Sequence, residues 1–358
     1  MPPMDTSSLA FLKRLLDTPG PSGFETGPAR VWRQEAESFA DLVEYDVAGN
    51  SRAVLNPDAT PRVMLAGHID EIGVMVVHID DDGFLTFQGI GGWDAQVLVG
   101  QRVTLLGRDG PIHGVIGKKA VHLIEADERD KASKIKDLWI DIGAASRQDA
   151  ERMVRIGDAG VVHSQSLDFP NGRLVSRSID NRIGAYVVLE ALRLLAGDRP
   201  AAGVFAVATS QEEIAWTGGG ARIGATAIEP FAAIVVDVTH ASDTPGVEKK
   251  ELGDIRLGGG PVLSRGSSVN AAVCDLLAEV ADAEGIPYTF QAAPRDTGTD
   301  ADAIWNVHHG VATGLVSVPN RYMHSPNEMV AVEDLGRAAR LLAGFARRVN
   351  ADSDFRPR

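Results

Sequence analysis

The stretch Val63-Met-Leu-Ala-Gly-His68-Ile-Asp70-Glu71-Ile-Gly73 decides how this chain folds. Its apolar start, Val63 to Ala66, has the character of a short buried strand, and it breaks off at Gly67 and His68. In open α/β sheets functional groups collect just past the carboxyl ends of strands, which is where a ligating histidine is expected. Asp70 follows His68 at a spacing of two. A carboxylate so placed can accept the hydrogen bond from the ring nitrogen that faces away from a metal, fixing tautomer and orientation. A strand-end histidine paired with an acid for surface charge is the plainer alternative, and the rest of the chain decides between them.

Upstream, Ser7 or Ser8 can cap a helix with Leu9, Leu12, Leu15 and Leu16 on one face, ended by Pro19-Gly-Pro-Ser-Gly23. A second helix from about Glu25 to Phe39 and strands at Leu42–Val47 and Ala53–Asn56 lead to the quoted stretch. Downstream, from Ile72 to about Ser164, turn signals such as Asp81-Asp-Gly83, Gly91-Gly92 and Arg108-Asp-Gly110 separate short strands, including Phe84–Gln88, Arg102–Leu106 and Ile112–Ile116. Such spacing predicts a small barrel, interrupted by one short helix at Ser146–Val154. After Leu174 the α/β rhythm returns. Strands at Leu174–Ser176, Gly203–Ala208, Ala232–Val236 and Val311–Val318 alternate with helices, one opened by Asn270 and closed by Gly285, the last running from Glu333 to Val349. The expected architecture is α/β, with one domain formed by residues 1–71 and 165–358 and a β-rich insert at 72–164.

Size agrees with two domains, since 358 residues exceed the usual single core. With 35 basic against 49 acidic residues the net charge is -14, which excludes a nucleic-acid partner. The one lysine-rich segment, Lys118–Lys136, is interleaved with Glu125, Asp127, Glu128 and Asp130 and is expected to be a solvated loop. Cys274 is the sole cysteine and sits in a helical pattern, so a buried thiol is expected and no intramolecular disulfide is possible. Met1–Leu16 lacks the continuous apolar run of a signal peptide, and the longest apolar stretch, Phe231–Val236, is far too short to span a membrane. A soluble cytoplasmic protein without a membrane partner is the expectation.

Apolar runs lead to His68, Asp180, Glu212 and Glu213, Asp237, and His324. Singly, each has a dull explanation: acids at strand ends cap the next helix or complement its dipole, and a loop histidine can simply be satisfied. Together, two histidines and several carboxylates at strand ends suit a pair of borderline metals such as zinc, cobalt or manganese, with one carboxylate bridging. Two cations would neutralise the mutual repulsion of acids that are otherwise costly to assemble.

The same residues carry a resemblance. Gly67-His-Ile-Asp-Glu-Ile-Gly73, Ile90-Gly-Gly-Trp-Asp94 with Gly100-Gln-Arg-Val103, Ile179-Asp-Asn-Arg-Ile-Gly184, Gln211-Glu-Glu-Ile214, Asp237-Val-Thr-His-Ala-Ser-Asp-Thr-Pro-Gly246, Gly298-Thr-Asp-Ala301 and Asn320-Arg-Tyr-Met-His-Ser-Pro326 are spread nearly end to end. In these blocks the chain resembles the dinuclear metallo-aminopeptidases of the tetrahedral (TET) type, family forty-two of the metallopeptidases, which includes glutamyl aminopeptidases and proteins labelled cellulase M. The resemblance implies a mixed-sheet, zinc-peptidase-like catalytic domain with an inserted β-barrel for dimerisation, assembled into hollow tetrahedral dodecamers built from dimers. It implies two divalent ions per subunit, zinc or cobalt foremost and manganese as a third choice. His68 and Asp237 would bind one, Glu213 and His324 the other, and Asp180 both, with Asp70 supporting His68 and Glu212 as general base. One departure stands out: after Gln-Glu-Glu-Ile the family continues Gly-Leu-Arg-Gly, whereas this chain has Ala215-Trp216-Thr217-Gly218. An indole there would reshape the substrate pocket, so no side-chain preference is carried over.

The expected reaction is removal of N-terminal residues from short peptides by a metal-activated water, Glu212 passing its proton to the leaving amine. For Glu212 and Glu213 to serve one site the chain must leave the extended form there, because successive strand residues face opposite ways. A glycosidase would use Glu212 and a second carboxylate without metal and leave the histidines unexplained. A non-catalytic metal-binding assembly would be marked by a lost base, and Glu212 is present. Val97–Val99 and Leu138–Ile142 are expected to be exposed apolar segments of the insert, favouring a homo-oligomer.

Overall fold

In the computed structural model, which describes residues 6–125, 131–215 and 218–357, the strand Arg62–His68 lies near the middle of an eight-stranded sheet. Its apolar residues are buried on both faces, Val63 and Leu65 against one core and Met64 and Ala66 against the other, which is why the run is continuous rather than alternating. The sheet order is Leu42–Tyr45, Ser51–Leu55, Gly203–Thr209, Arg62–His68, Ala232–His240, Ala312–Asn320, Val262–Gly266, Thr289–Ala293. The four central strands from Gly203–Thr209 to Ala312–Asn320 are parallel, and their outer neighbours Ser51–Leu55 and Val262–Gly266 run antiparallel to them, so the sheet is mixed. Helices Thr6–Asp17, Thr26–Ala36, Ile179–Gly197, Ala271–Glu284 and Val332–Arg348 cover one face, and Gly219–Ile228 and Asp300–Ile304 the other. Asn270 caps its helix by accepting from the Val273 N–H, and Gly285 closes it in the left-handed conformation. Among the described residues no helix is long and apolar enough to cross a membrane. Cys274 is buried and free.

Between Gly73 and Val162 six antiparallel strands close into a barrel. Leu98, Leu138 and Ile140 are buried in its core, and Val99 and Ile142 pack against that core. The expectation that 97–99 and 138–142 are exposed is therefore corrected: closure gives these segments an interior to fill. The apolar residues left outside are others, notably Val121, Leu123 and Ile156. Of the lysine-rich segment, 126–130 lie outside the described residues, as does Trp216.

The opening strand also runs further than its sequence pattern indicates. Pairing with Gly203–Thr209 continues to His68 opposite Thr209, while pairing with Ala232–His240 stops at Ala66 opposite Val235. Helix Ile179–Gly197 packs where the strands part. A Cβ on Gly67 would lie 2.4 Å from the Gly184 carbonyl carbon, so only glycine permits that approach. Asn181 Nδ2 donates to the Val236 carbonyl at 2.7 Å, satisfying a backbone group beside the split.

Arg182 holds this region together from below. Its fully buried guanidinium donates to the carbonyls of Leu15, Leu16, Thr18, Gly20 and Ile69 and to Glu71 Oε1 at 2.8 Å. Burial lowers its pKa to about 10, which leaves it charged at neutral pH. Replacing Arg182 by leucine strands several carbonyls and leaves the buried Glu71 carboxylate only Arg177, 3.5 Å away, as a cation. Loss of one member of a buried pair costs about 3–5 kcal/mol, so R182L should fall in stability by that amount in denaturant titrations, and a loss under about 1 kcal/mol would show that the network is not structural.

Candidate metal centre

Six of the seven expected site residues line one cleft, and the seventh, Asp70, is fully buried against His68. His68 ends its strand and Asp70 lies beyond it. Asp180 sits in the first turn of helix Ile179–Gly197, after a strand, Arg173–Ser176, that belongs to a separate three-stranded sheet. The Asp180–Asn181 peptide is cis. Gln211 turns left-handed (φ 59°) and Glu212–Ile214 form a 3-10 turn, so the chain leaves the extended form where both glutamates need it to. Asp237 corrects the strand-end expectation, because it lies inside Ala232–His240, paired with Ser317. It can face the site because the neighbouring strand has already parted. His324 lies in a loop past Ala312–Asn320, with a left-handed backbone (φ 59°).

The side chains converge on Asp180. One of its oxygens is 3.2 Å from His68 Nε2 and the other 3.4 Å from His324 Nε2. Glu213 Oε2 is also 3.4 Å from His324 Nε2, and Glu212 Oε2 is 3.7 Å from His68 Nε2. Asp70 Oδ1 is 3.3 Å from His68 Nδ1, and the same carboxylate accepts the Glu212 and Glu213 backbone N–H groups at 3.2 and 3.1 Å. His324 Nδ1–H donates to the Gly92 carbonyl at 2.8 Å, a contact from the barrel's own loop that leaves Nε2 facing the acids. Two sets, His68 with Asp180 and Glu213, and His68 with Glu212 and Asp237, have ligand atoms within 4.8 Å of one another.

Three supporting residues escaped the sequence reading. Glu328 accepts the Asp180 and His324 backbone N–H groups, Thr209 Oγ1 donates to buried Asp300, and Gly92 fixes the His324 tautomer. The Gly91-Gly92 turn and the Asp300 block were visible as motifs, but nothing in them indicates a contact across more than 200 residues, such as the one between Gly92 and His324. Glu328 had no local signal beyond an acid shortly after His324.

Too many acids share this space. Among the described residues the ion pairs of Asp70, Asp180, Glu212 and Glu213 run only to His68 and His324. Burial, then repulsion from Asp237, Asp300 and Glu213, pushes Glu212 up to about 10 against the pull of His68. Burial likewise raises Glu213, Asp237 and Glu328, and takes Asp300 to about 6. Asp180 goes the other way: burial opposes its charge, yet His324 and His68 hold it well below the usual carboxylate range. The Asp180 and Glu213 carboxylates push His324 up to about 11. On His68 burial opposes charge, and Glu212, Asp180 and Asp70 outweigh it. Glu213 Oε1 is buried without a hydrogen-bond partner. An orphaned oxygen among imidazoles and carboxylates fits a divalent ion of the zinc, cobalt or manganese kind. Above the cluster lies a cleft of about 1010 Å³, with Ile214, Thr239, Gln291 and Met323 in its walls.

A pH dependence follows for the metal-free protein. His324, raised to about 11, contributes stability that is complete below the ordinary imidazole pKa near 6.5 and lost as pH climbs toward the folded value. Glu212, raised to about 10, favours folding while protonated, and this too is lost as pH rises from 4.5. Melting in chelator should therefore fall between about pH 6.5 and 10, and less so with divalent metal added. A melting temperature that rises with pH in chelator would contradict the charge arrangement.

Comparison with known proteins shows the family. The family model described as M42 glutamyl aminopeptidase matches residues 49–341. Lysyl aminopeptidase of Pyrococcus furiosus is 35% identical over 97% of this chain and 99% of its own. The crystal structure of a TET aminopeptidase from the marine-sediment archaeon Thaumarchaeota archaeon SCGC AB-539-E09 superposes with a TM-score of 0.92, at 34% identity, covering 97% of this chain and 98% of that one. The Pyrococcus horikoshii TET1 peptidase, which can assemble into a tetrahedron or a large octahedral shell, superposes with a TM-score of 0.85 at 28% identity, covering 96% and 100%. A family match over most of the chain, on a site of histidines and acids at the mouth of a mixed sheet, makes this protein a hydrolase of the M42 glutamyl aminopeptidase family, an exopeptidase acting at peptide N-termini.

Proposed function

We propose that this aminopeptidase works with two divalent ions, zinc or cobalt foremost and manganese as the alternative, and with Glu212 as its general base. The observation that carries the reading is Asp180, whose two oxygens face one imidazole each, His68 on one side and His324 on the other. His68 and Asp237 would hold one ion, His324 and Glu213 the other, and Asp180 both. When bound, such ions supply an acidified water and polarise the scissile carbonyl. The chain's own residues do the rest. Asp70 keeps His68 oriented through Nδ1, and the Gly92 carbonyl does the same for His324. Glu212, next to ligand Glu213 and pinned through its backbone N–H by Asp70, takes the proton of the attacking water and returns it to the leaving amine. Glycoside hydrolysis would need two carboxylates and leave both imidazoles without a task.

In the same reading, residues 1–71 and 165–358 form the catalytic domain and 72–164 the dimerisation domain. Val121, Leu123 and Ile156, exposed at 54, 66 and 67%, leave apolar side chains on the insert for a partner to cover, and the dodecamer of the P. horikoshii relative supports twelve subunits built from dimers. Light scattering should give a large, even-numbered oligomer; a stable, active monomer would contradict it.

Short peptides with a free amine should be trimmed from the N-terminus, and their N-acetylated twins left intact, because acylation removes a charge-assisted contact. Chelation should abolish trimming and added zinc, cobalt or manganese restore it. E212Q should keep its metal and lose turnover by about 100-fold or more, the scale of general-base catalysis, whereas E213Q should lose metal. Equal metal loss in both variants would overturn the assignment of roles, and cleavage of the acetylated peptide would overturn the exopeptidase reading.

A further inference from the structure

We propose that Glu328 is a positioning residue for the metal centre: its carboxylate clasps the backbone N–H groups of Asp180 and His324 and so fixes the separation of the shared ligand from the terminal one. The inference rests on the metal assignment above and extends it to a residue that touches neither substrate nor metal.

Glu328 is 2% exposed. Its Oε2 accepts from the Asp180 N–H at 3.0 Å and its Oε1 from the His324 N–H at 2.9 Å. The two donors come from unrelated parts of the chain, one following strand Arg173–Ser176 and the other strand Ala312–Asn320. Glu328 meets both because of where its strand begins. It opens Glu328–Ala331, pairs with Ser176 in register, and precedes Met329, which exchanges both backbone hydrogen bonds with Arg321 at 3.0 Å. At this one position the backbone is anchored to the stems of both ligand loops, and the side chain then reaches forward to the ligand residues themselves.

Chemistry restricts what can stand here. A carboxylate offers an acceptor to each of two converging N–H groups. Glutamine offers one acceptor and turns an amide NH₂ toward the other donor, leaving a buried N–H unpaired. Aspartate is a methylene shorter, so its carboxylate is drawn back from both donors. Glutamine keeps the bulk of the side chain and tests the clasp alone, whereas aspartate keeps the charge and also removes one buried methylene. Because Glu328 acts on the backbones, Asp180 keeps both carboxylate oxygens, and His324 its Nε2, free to face the shared site.

The fold supplies its own control. Asp334, fully buried in helix Val332–Arg348 and outside the cleft walls, accepts the Gly258 and Gly260 N–H groups at 2.7 and 2.9 Å. It clasps two backbone N–H groups in the same way, with the Arg337 guanidinium as a third partner at 3.0 Å and no ligand attached. Metal content after dialysis, the chelator concentration that strips half the metal, melting temperature, kcat and KM are to be measured on the parent, E328Q, E328D and D334N. Outer partners of metal ligands are worth about 10–100-fold in metal affinity or activity. E328Q and E328D should release metal at about tenfold less chelator and lose kcat by about tenfold or more, with KM changed less than about threefold. D334N should melt lower than the parent yet hold its metal like the parent. If E328Q does not fold, E328D decides. Glu328 variants that hold metal as tightly as a metal-binding parent would overturn this inference alone. Metal loss in D334N matching that in the Glu328 variants would also overturn it, because the effect would then be general destabilisation. A parent that binds no divalent ion would overturn the metal assignment and the role of Glu328 with it.

Discussion

The structure depends on keeping several buried carboxylates in one place. Asp70, Asp180, Asp237 and Asp300 are each less than a tenth exposed, and Glu212 and Glu213 lie against them. Taking such charges from water is expensive, and their mutual repulsion adds to the cost. What offsets it within the chain is local and directional: backbone N–H groups of Glu212 and Glu213 on Asp70, a hydroxyl on Asp300, and two imidazoles on Asp180. Those partners are too few to ionise every acid, and the raised pKa values of Glu212, Glu213 and Asp237 record the deficit. A site that is short of positive charge and carries an orphaned acceptor at Glu213 Oε1 is built for cations.

Rigidity is the other half of the design. The acids come from several structural units, and those units are locked together. Gly67 lets helix Ile179–Gly197 pack onto the strand end, Asn181 joins that helix to the Val236 carbonyl, and Arg182 binds its base to the first helix and to Ile69. The barrel takes part through Gly92, which reaches His324. A site held by the fold in this way suits the proposed chemistry, because electrostatic catalysis works best where little reorganisation is needed.

Much of this was legible in the sequence, and what was not has a common cause. The buried parallel strands announced themselves as continuous apolar runs, the helix from Asn270 to Gly285 by its cap residues, and the barrel by regularly spaced turns. His68, Asp180, Glu212, Glu213, Asp237 and His324 stood out as acids and histidines following apolar runs, and they meet in one cleft. Asp237 was placed a little wrongly because strand parting is a tertiary event. Strands Val262–Gly266 and Thr289–Ala293 give no clear sequence signal, because the first buries only three residues before an exposed Arg265-Gly266 and the second, at the sheet edge, is mostly part-exposed and carries polar residues. The pattern around Leu138 and Ile140 points to surface, whereas both are buried, because periodicity cannot tell whether a small barrel closes. Glu328 and Gly92 act through contacts set by register and loop approach, and no local pattern encodes those.

The central claim is that Asp180 stands between two cations. Anomalous diffraction from crystals grown with zinc, collected on either side of the metal's absorption edge, tests it most directly. The account predicts two peaks in each subunit, one beside His68 and Asp237 and one beside His324 and Glu213, with the Asp180 carboxylate between them. A single peak, or peaks that leave Asp180 out, would contradict it.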